Sequence, residues 1–474
     1  MNGFVKYQTL ASRIRSKCGM YQPGGAYGFR DQLQDMLQVM YFDPARARNH
    51  ILYCAEHQFP EGDALHWWHE PARGVRTKIS DDVLFLSYVT VKYISLTLDN
   101  GILKERVPYL KSIPIPDNKE DLYLNWETDK QTDTLYAHIM AAFKKVYKKG
   151  ENGLLLMGGG DWNDGMNRIG AEGRGESVWL SEFAIVCADL FGKYADKEDK
   201  AYLEEMICSL KEAVEEKCWD GQWYLRAFND AGEKIGSFDN RECRIDLISQ
   251  AWAALAGMDE KRVITALKSA WELLMDREAG IIKLLTPPFS GLERDPGYIS
   301  KYPTGVRENG GQYTHAACWY VKALAKYGFA NEAWQAFDML LPVKRTDSRE
   351  KARHYLSEPY VIAADISYGG DWTGVGGWTW YTGAAAWAFC VMLEDLLGFE
   401  RKGDRVKMQP LLSDNMEKVS VTIRYKTSVY RLIGTKDAVE TEDEIELTDD
   451  GKLHEIVFAA RKKQENYIES KAEL

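Results

Sequence analysis

Long apolar runs, paired cysteines and excess positive charge are all missing from this 474-residue chain, and each absence excludes something. No run approaches the ~18 consecutive apolar residues of a membrane span. The N-terminal MNGFVKYQTLASRIRSK has no continuous apolar core of the signal-peptide kind. The eight cysteines are scattered, with no Cys-x-x-Cys pair, as in reduced cytoplasmic proteins. There are eight histidines, and His66 and His69 of HWWH lack further ligands at zinc-site spacing, so no metal is expected. Lys and Arg number 60 against 71 Asp and Glu, a net charge of −11, which argues against nucleic acid or an anionic membrane as a bulk partner. Internal repeats and low-complexity segments are also missing.

What the chain does have is helical periodicity up to about residue 400. Helices are predicted over 7–16, 31–42, 44–58, 81–98, 131–148, 178–193, 197–216, 247–256, 259–277, 312–327, 329–341 and 381–397. A dozen helices in one chain imply pairing, and the length fits two domains or one large toroid. Residues 220–238 read as a β-hairpin turning at Asn229-Asp230-Ala231-Gly232. After about residue 404 the period changes to two, with strands predicted at 419–425, 429–433, 443–447 and 453–459, followed by a charged tail. The division is therefore 1–403 for the helical part and 404–474 for a small β module and tail. Long connections at 60–80, 149–176, 284–311 and 366–380 are rich in Gly, Pro and aromatics, and loops of that length tend to carry function.

The chemistry concentrates in those connections. GGGDWNDGMNRIG, residues 158–170, sets Asp161 and Asp164 around Trp162 among glycines that let backbone approach a ligand. A flat ring beside acids suits sugars, whose CH faces stack while their hydroxyls take polar partners. The same residues also fit a capping turn with Asp161 as N-cap. GGAYGFRDQLQD, residues 24–35, puts Arg30 at a helix start and Asp31 and Asp35 on one face, either as structural partners or as a sugar-hydroxyl set. HWWHEPARGVRTKISDD, residues 66–82, is dense in His, Trp, Arg and Asp. RENGGQYTHAACW, residues 307–319, carries Glu308 before a glycine pair and His315 in the first turns of a helix. GGDWTGVGGWTWYTGAAAW, residues 369–387, brings Thr382 and Gly383 to a helix N-terminus, a setting that favours anions such as phosphate. His315 offers an imidazolium nearby. Taken singly, a helical His is usually structural and Thr-Gly is usually a cap.

Together, FRDQLQD, HWWHEPARGVRTKISDD, GGDWNDGMN, ENGGQYTH and WTWYTGAAAW resemble glycoside hydrolase family 94, the inverting glycoside phosphorylases. Within that family the likeness is greatest to β-1,2-oligoglucan phosphorylases and the C-terminal region of cyclic β-1,2-glucan synthases. It runs from about Lys6 to the C-terminal strands. The resemblance implies a mainly α fold, an α/α six-hairpin barrel (a toroid) with a small C-terminal β module. It implies Asp164 as general acid and Trp162 at the sugar subsite. Arg30 and Asp35 match residues that hold the sugar, with Asp31 and Asp161 beside them. Glu308 and, more distantly, Glu358 of SEPY match sugar contacts. His315, Thr382 and Gly383 match the phosphate site. No cofactor is implied beyond inorganic phosphate as co-substrate. Family members carry an N-terminal β-sandwich before the barrel, and this chain starts almost at the barrel. A homodimer, or a partner supplying that domain, is therefore expected.

The implied reaction is phosphorolysis of a β-glucoside, in which Asp164 must be protonated, its pKa raised by burial or neighbouring acids. Two alternatives stay open. One is an inverting hydrolase, which needs a second carboxylate to activate water. The other is a glycan-binding or assembly module without turnover.

Overall fold

Helices buried on every side belong inside a protein, and helices with one apolar stripe belong around them. This chain has both kinds. The computed structural model describes residues 3–15, 25–116, 118–438 and 443–461. Its helices are α1 (Phe4–Thr9, continuing as a π-helix over Leu10–Arg15), α2 (Phe29–Val39), α3 (Pro44–Ala55), α4 (Leu84–Thr97), α5 (Leu135–Val146), α6 (Val178–Phe191) and α7 (Lys197–Lys217). They continue with α8 (Leu247–Ala256), α9 (Glu260–Leu274), α10 (Thr314–Lys326), α11 (Ala330–Leu340), the short α12 (Pro342–Arg345) and α13 (Arg349–Tyr355), and α14 (Ala384–Cys390, continuing as a π-helix over Val391–Leu396).

Nearly every residue of α4, α6, α8 and α10 is buried. By contrast α7, 21 residues long, buries only Leu203, Met206, Leu210, Ala213 and Val214, at helical spacing along one face. The packing follows from this difference. α2 contacts α4, α4 contacts α6, α6 contacts α8, α8 contacts α10, α10 contacts α14, and α14 returns to α2, closing a ring of six. Outside it, α3, α5, α7, α9 and α11 pack on the inner helix next to them in sequence, and α1 packs on α14. Tryptophans fill the middle of the ring. Trp319 stacks on Trp179 at 5.9 Å and meets Trp252 at 5.2 Å and Trp387 at 5.7 Å, each pair worth about 0.5–1.5 kcal/mol beyond area burial.

The expected helices are present with shifted ends. The one expected from residue 131 starts at Leu135, because Thr128–Thr134 is a strand paired with Arg106–Leu110. The 60–80 connection is not a loop. Leu65–His69 and Arg73–Thr77 are the central strands of an antiparallel sheet with Tyr27–Gly28 and Asp121–Asn125 at its edges. The predicted hairpin is formed by Ala227–Phe228 and Lys234–Ile235. Beyond Leu396 every described element is a strand. Lys418–Tyr425, Ser428–Thr435 and Leu453–Ala459 form one sheet, in which the last pair is parallel. Phe399–Lys402, Arg405–Met408 and Ile445–Glu446 form another, whose first two strands lie before the predicted set. The tail after residue 461 lies outside the described residues. Among the described residues no helix is long and apolar enough to cross a membrane.

Candidate active site

The connections that enter the inner helices supply the polar side chains at one end of the ring. Arg30 and Asp31 lie in the first turn of α2, Asp81 and Asp82 just before α4, and His315 in the first turn of α10. Thr382 and Gly383 lead into α14, where the Thr382 hydroxyl accepts from Ala384 N–H at 3.1 Å. A cavity of about 350 Å³ opens between these starts, lined by Arg13, Arg30, Asp31, Trp162, Asp164, Glu308, His315, Thr382 and Gly383. Tyr298, Tyr302, Tyr313, Trp378 and Tyr381 complete its aromatic wall, with Arg307 beside Glu308. A larger cleft of about 490 Å³, around Arg168, Asn229 and Arg294, collects none of these groups.

Arg30 organises the acid end. Its guanidinium, buried, donates to Asp81 Oδ1 and Asp164 Oδ1 at 2.5 Å each, and to the carbonyls of Asp161 and Trp162 at 3.1 Å. It therefore ties the 161–164 turn to the start of α4, and its partners are these acids rather than Asp35. His66, from the central strand of the sheet, places Nδ1 2.8 Å from Asp82 Oδ2 and Nε2 3.6 Å from Asp164 Oδ2. These charges reverse one expectation. Burial pushes the Asp164 carboxyl up, but Arg30 and His66 outweigh burial and hold it well below the usual carboxylate range. His66 is moved well above its ordinary value: burial opposes this, and Asp82 and Asp164 overcome it. Both shifts favour the ion pair of Asp164 carboxylate and His66 imidazolium over the protonated acid expected at this position.

The far end is built around Arg13, from the π-helical turn after α1. Its Nε donates to Asp35 Oδ2 at 2.8 Å, Nη2 lies 3.5 Å from Asp31 Oδ1, and Nη2 makes no hydrogen bond among the described residues. His315 Nε2 is 2.8 Å from Gln34 Oε1, which also accepts from Trp387 Nε1. That network assigns the proton to Nε2 and leaves Nδ1 as an acceptor. Burial, aided by Arg13, pushes His315 down to about 3, so the ring is neutral and not the imidazolium expected. A Cβ on Gly383 would stand 3.3 Å from His315 Nδ1 and 3.9 Å from Arg13 Nη2, so a glycine keeps this corner open.

Of the residues singled out in sequence, Arg30, Asp31, Trp162, Asp164, Glu308, His315, Thr382 and Gly383 line one cavity. Three do not. Asp35 is fully buried behind the wall on Arg13, and burial raises its carboxyl to about 6. Asp161 is also fully buried, held by both Arg226 nitrogens at 2.7 Å and by the Ser177 hydroxyl at 2.6 Å. Asp161 Oδ1 also accepts from Asn163 N–H at 3.0 Å, so it does brace the turn, but the N-cap of the short helical turn that follows is Asn163, which accepts from Gly165 N–H. Glu358 accepts from Trp380 Nε1 at 2.8 Å outside the cavity, and so fixes the Trp loop. Arg13 and Tyr298 were not singled out: neither stands in a motif, and each arrives by tertiary packing. His66 does stand in HWWHE, but its partner Asp82 is 16 residues away.

The profile of the Glycosyl hydrolase 94 superfamily, catalytic domain, matches residues 1–398. The chain is 42% identical over 449 residues to the cyclic beta-(1,2)-glucan synthase NdvB of Rhizobium meliloti (strain 1021), covering 93% of this chain and 16% of that protein. It is 30% identical over 442 residues to the solabiose phosphorylase of Paenibacillus borealis, covering 91% of this chain and 53% of the relative. The chain therefore spans about half the length of the second relative and much less of the first. The GH63 mannosylglycerate hydrolase from Thermus thermophilus in complex with glucose shares the fold, with a TM-score of 0.53 at 13% identity over 81% of this chain and 99% of that one.

Proposed function

We propose, for a chain that belongs to the Glycosyl hydrolase 94 superfamily through its catalytic domain, that it cleaves β-glucosides with phosphate and inverts the anomeric carbon. The observation that carries this reading is one cavity lined both by Asp164 and by Arg13, His315, Thr382 and Gly383. A phosphate oxygen would bond to C1 as the bond from C1 to the glycosidic oxygen breaks, and the leaving oxygen would take the proton of Asp164. The product is α-glucose 1-phosphate. One carboxylic acid suffices, because phosphate is already an anionic nucleophile. Arg13 supplies the cation for it, Thr382 and Gly383 the helix start, and neutral His315 an acceptor for a P–O–H group. Trp162 and the tyrosines stack on the sugar, while Asp31 and Glu308 take its hydroxyls.

The substrate in this reading is a β-1,2-linked glucooligosaccharide, supported by the motif resemblance and by the 42% identity to a relative named a β-(1,2)-glucan synthase. The closed ring of helices supports an α/α six-hairpin barrel that ends at Leu396 rather than at 403, with the strands from Phe399 onward as its β module. Phosphate acts as co-substrate with no organic cofactor, in the cytoplasm. A homodimer belongs to the same proposal.

The inverting-hydrolase reading has one observation in its favour, since Asp31 and Glu308 put further carboxylates in the cavity. Incubation of β-1,2-glucooligosaccharides with and without phosphate separates the readings. α-Glucose 1-phosphate formed only with phosphate supports phosphorolysis. Free glucose without phosphate indicates hydrolysis, and binding without product indicates a non-catalytic module.

A further inference from the structure

A general acid that rests as an ion pair must be given a proton before it can act. The Oδ1 of Asp164 is occupied by Arg30 at 2.5 Å, which leaves Oδ2 facing His66 Nε2 at 3.6 Å. On its other side the imidazole is anchored through Nδ1 to Asp82 Oδ2 at 2.8 Å. The ring thus bridges two carboxylates, one structural and one in the cavity. From this geometry we propose that His66 is a positioning residue that passes its Nε2 proton to Asp164 Oδ2 and so loads the acid for each turnover. The inference rests on the reading of Asp164 as the general acid.

The step balances. The Nε2–H bond breaks and an Oδ2–H bond forms, so imidazolium and carboxylate become neutral imidazole and carboxylic acid. Protonation of the glycosidic oxygen returns Asp164 to carboxylate. The phosphate dianion loses its own proton on becoming a sugar phosphate dianion, and His66 regains one through solvent. A sugar filling the cavity provides the drive, because displacing water from Asp164 disfavours the charged pair relative to the neutral one. The 3.6 Å separation closes with a small swing of the ring, and catalytic hydrogen bonds commonly tighten only when substrate is bound.

The charged groups that set this balance come from three elements. Asp82 and Asp81 precede α4, Arg30 and Asp31 begin α2, and Asp164 comes from the 158–170 turn. Asp81 pairs with Arg30 through Oδ1 at 2.5 Å, its buried Oδ2 makes no hydrogen bond among the described residues, and burial pushes its carboxyl up against the pull of Arg30. Arg30 and His66 thus lie among Asp81, Asp82 and Asp164, with Asp31 held by Arg13.

The test is ¹⁵N NMR of histidine side chains in the free protein, which requires no turnover. His66 is expected to carry protons on both nitrogens at pH ~7.5, about one unit above the ordinary histidine value, and Asp164→Asn to lower its pKa by more than about one unit. A singly protonated His66 at that pH, or a titration that Asp164→Asn leaves in place, overturns the proposal. In turnover, His66→Gln is expected to lower kcat about 10²-fold, leave KM for phosphate in place, and move the alkaline limb of the pH profile to lower pH. An unchanged profile contradicts the relay. Wild-type protein without phosphate-dependent product contradicts the phosphorylase reading instead, and the NMR result still decides whether His66 and Asp164 share a proton.

Discussion

Asp161 and Asp164 stand three positions apart and meet opposite surroundings. Asp161 and Arg226 are both fully buried and joined by two 2.7 Å bonds. Asp161→Asn removes the hydrogen-bonded counter-charge of the guanidinium and leaves it only Asp246 at 3.5 Å, a loss of up to about 3–5 kcal/mol, to be read as a drop in the denaturant midpoint. Asp164 has a side chain one-third exposed, and Arg30 keeps Asp81 when Asp164 is changed. Asp164→Asn is therefore expected to stay folded and to lose turnover, with a drop in the denaturant midpoint from the lost pairing with Arg30 and His66 that is smaller than that of Asp161→Asn. A second residue-level prediction concerns His315. Its folded-state pKa near 3 lies below the ~6.5 of an unfolded histidine. The unfolded chain binds the proton first, so this residue's contribution to stability is complete above pH ~6.5 and is lost as pH falls toward 3. Between about pH 7 and 5, the range in which an unfolded histidine gains its proton, the melting temperature of wild type is expected to fall more than that of His315→Gln. Equal slopes would contradict a neutral buried ring. His315→Ala is also expected to raise KM for phosphate roughly 10–100-fold, the equivalent of one hydrogen bond to a charged group, with little change in KM for glycan.

At the scale of elements, the site depends on helix starts. The outer helices keep the inner starts in place, and their own caps are separable from the chemistry. Asp259 accepts from Lys261 N–H at 3.1 Å and Arg262 N–H at 3.0 Å at the exposed start of α9. Asp259→Ala is expected to cost about 1 kcal/mol of stability with kcat unchanged, and a change in kcat would show that α9 reaches the cavity. Helices of this kind were legible because burial imposes the 3.6-residue period on α7 and α9 directly. The sheet through His66 was not. In HWWHE, strand alternation is masked by two neighbouring tryptophans, Trp67 half-buried against Tyr123 and Trp68 fully buried against His57. The start of α5 was misplaced for a related reason, since TDKQTDT has no apolar pattern and becomes a strand only through its partner, Arg106–Leu110.

Over the whole molecule, six inner helices close on a plug of tryptophans, and the closure brings residues from Arg13 to Gly383 to one cavity. Such convergence explains what the sequence left undecided. Asp161 and Asp164 look alike in GGDWNDG, and partners distant in sequence separate their roles: Arg226, 65 residues away, buries Asp161, while Arg30 and His66 meet Asp164 in the cavity. Arg13 gave no local sign, because its meaning depends on α1 packing against α14, where Gln8 exchanges hydrogen bonds with both backbone groups of Ile362. The motifs, in contrast, carried Trp162, Asp164, His315 and Thr382 together: His315 and Thr382 stand at the starts of α10 and α14, and Trp162 and Asp164 in the glycine-rich turn well before α6. The central claim is that this cavity joins an acid to a bound phosphate. The most direct measurement is ¹H NMR of the product formed from β-1,2-glucooligosaccharides in phosphate buffer, with Asp164→Asn alongside. The account predicts α-glucose 1-phosphate from wild type in phosphate alone and none from the variant. Free glucose formed without phosphate, or undiminished product from Asp164→Asn, would contradict it.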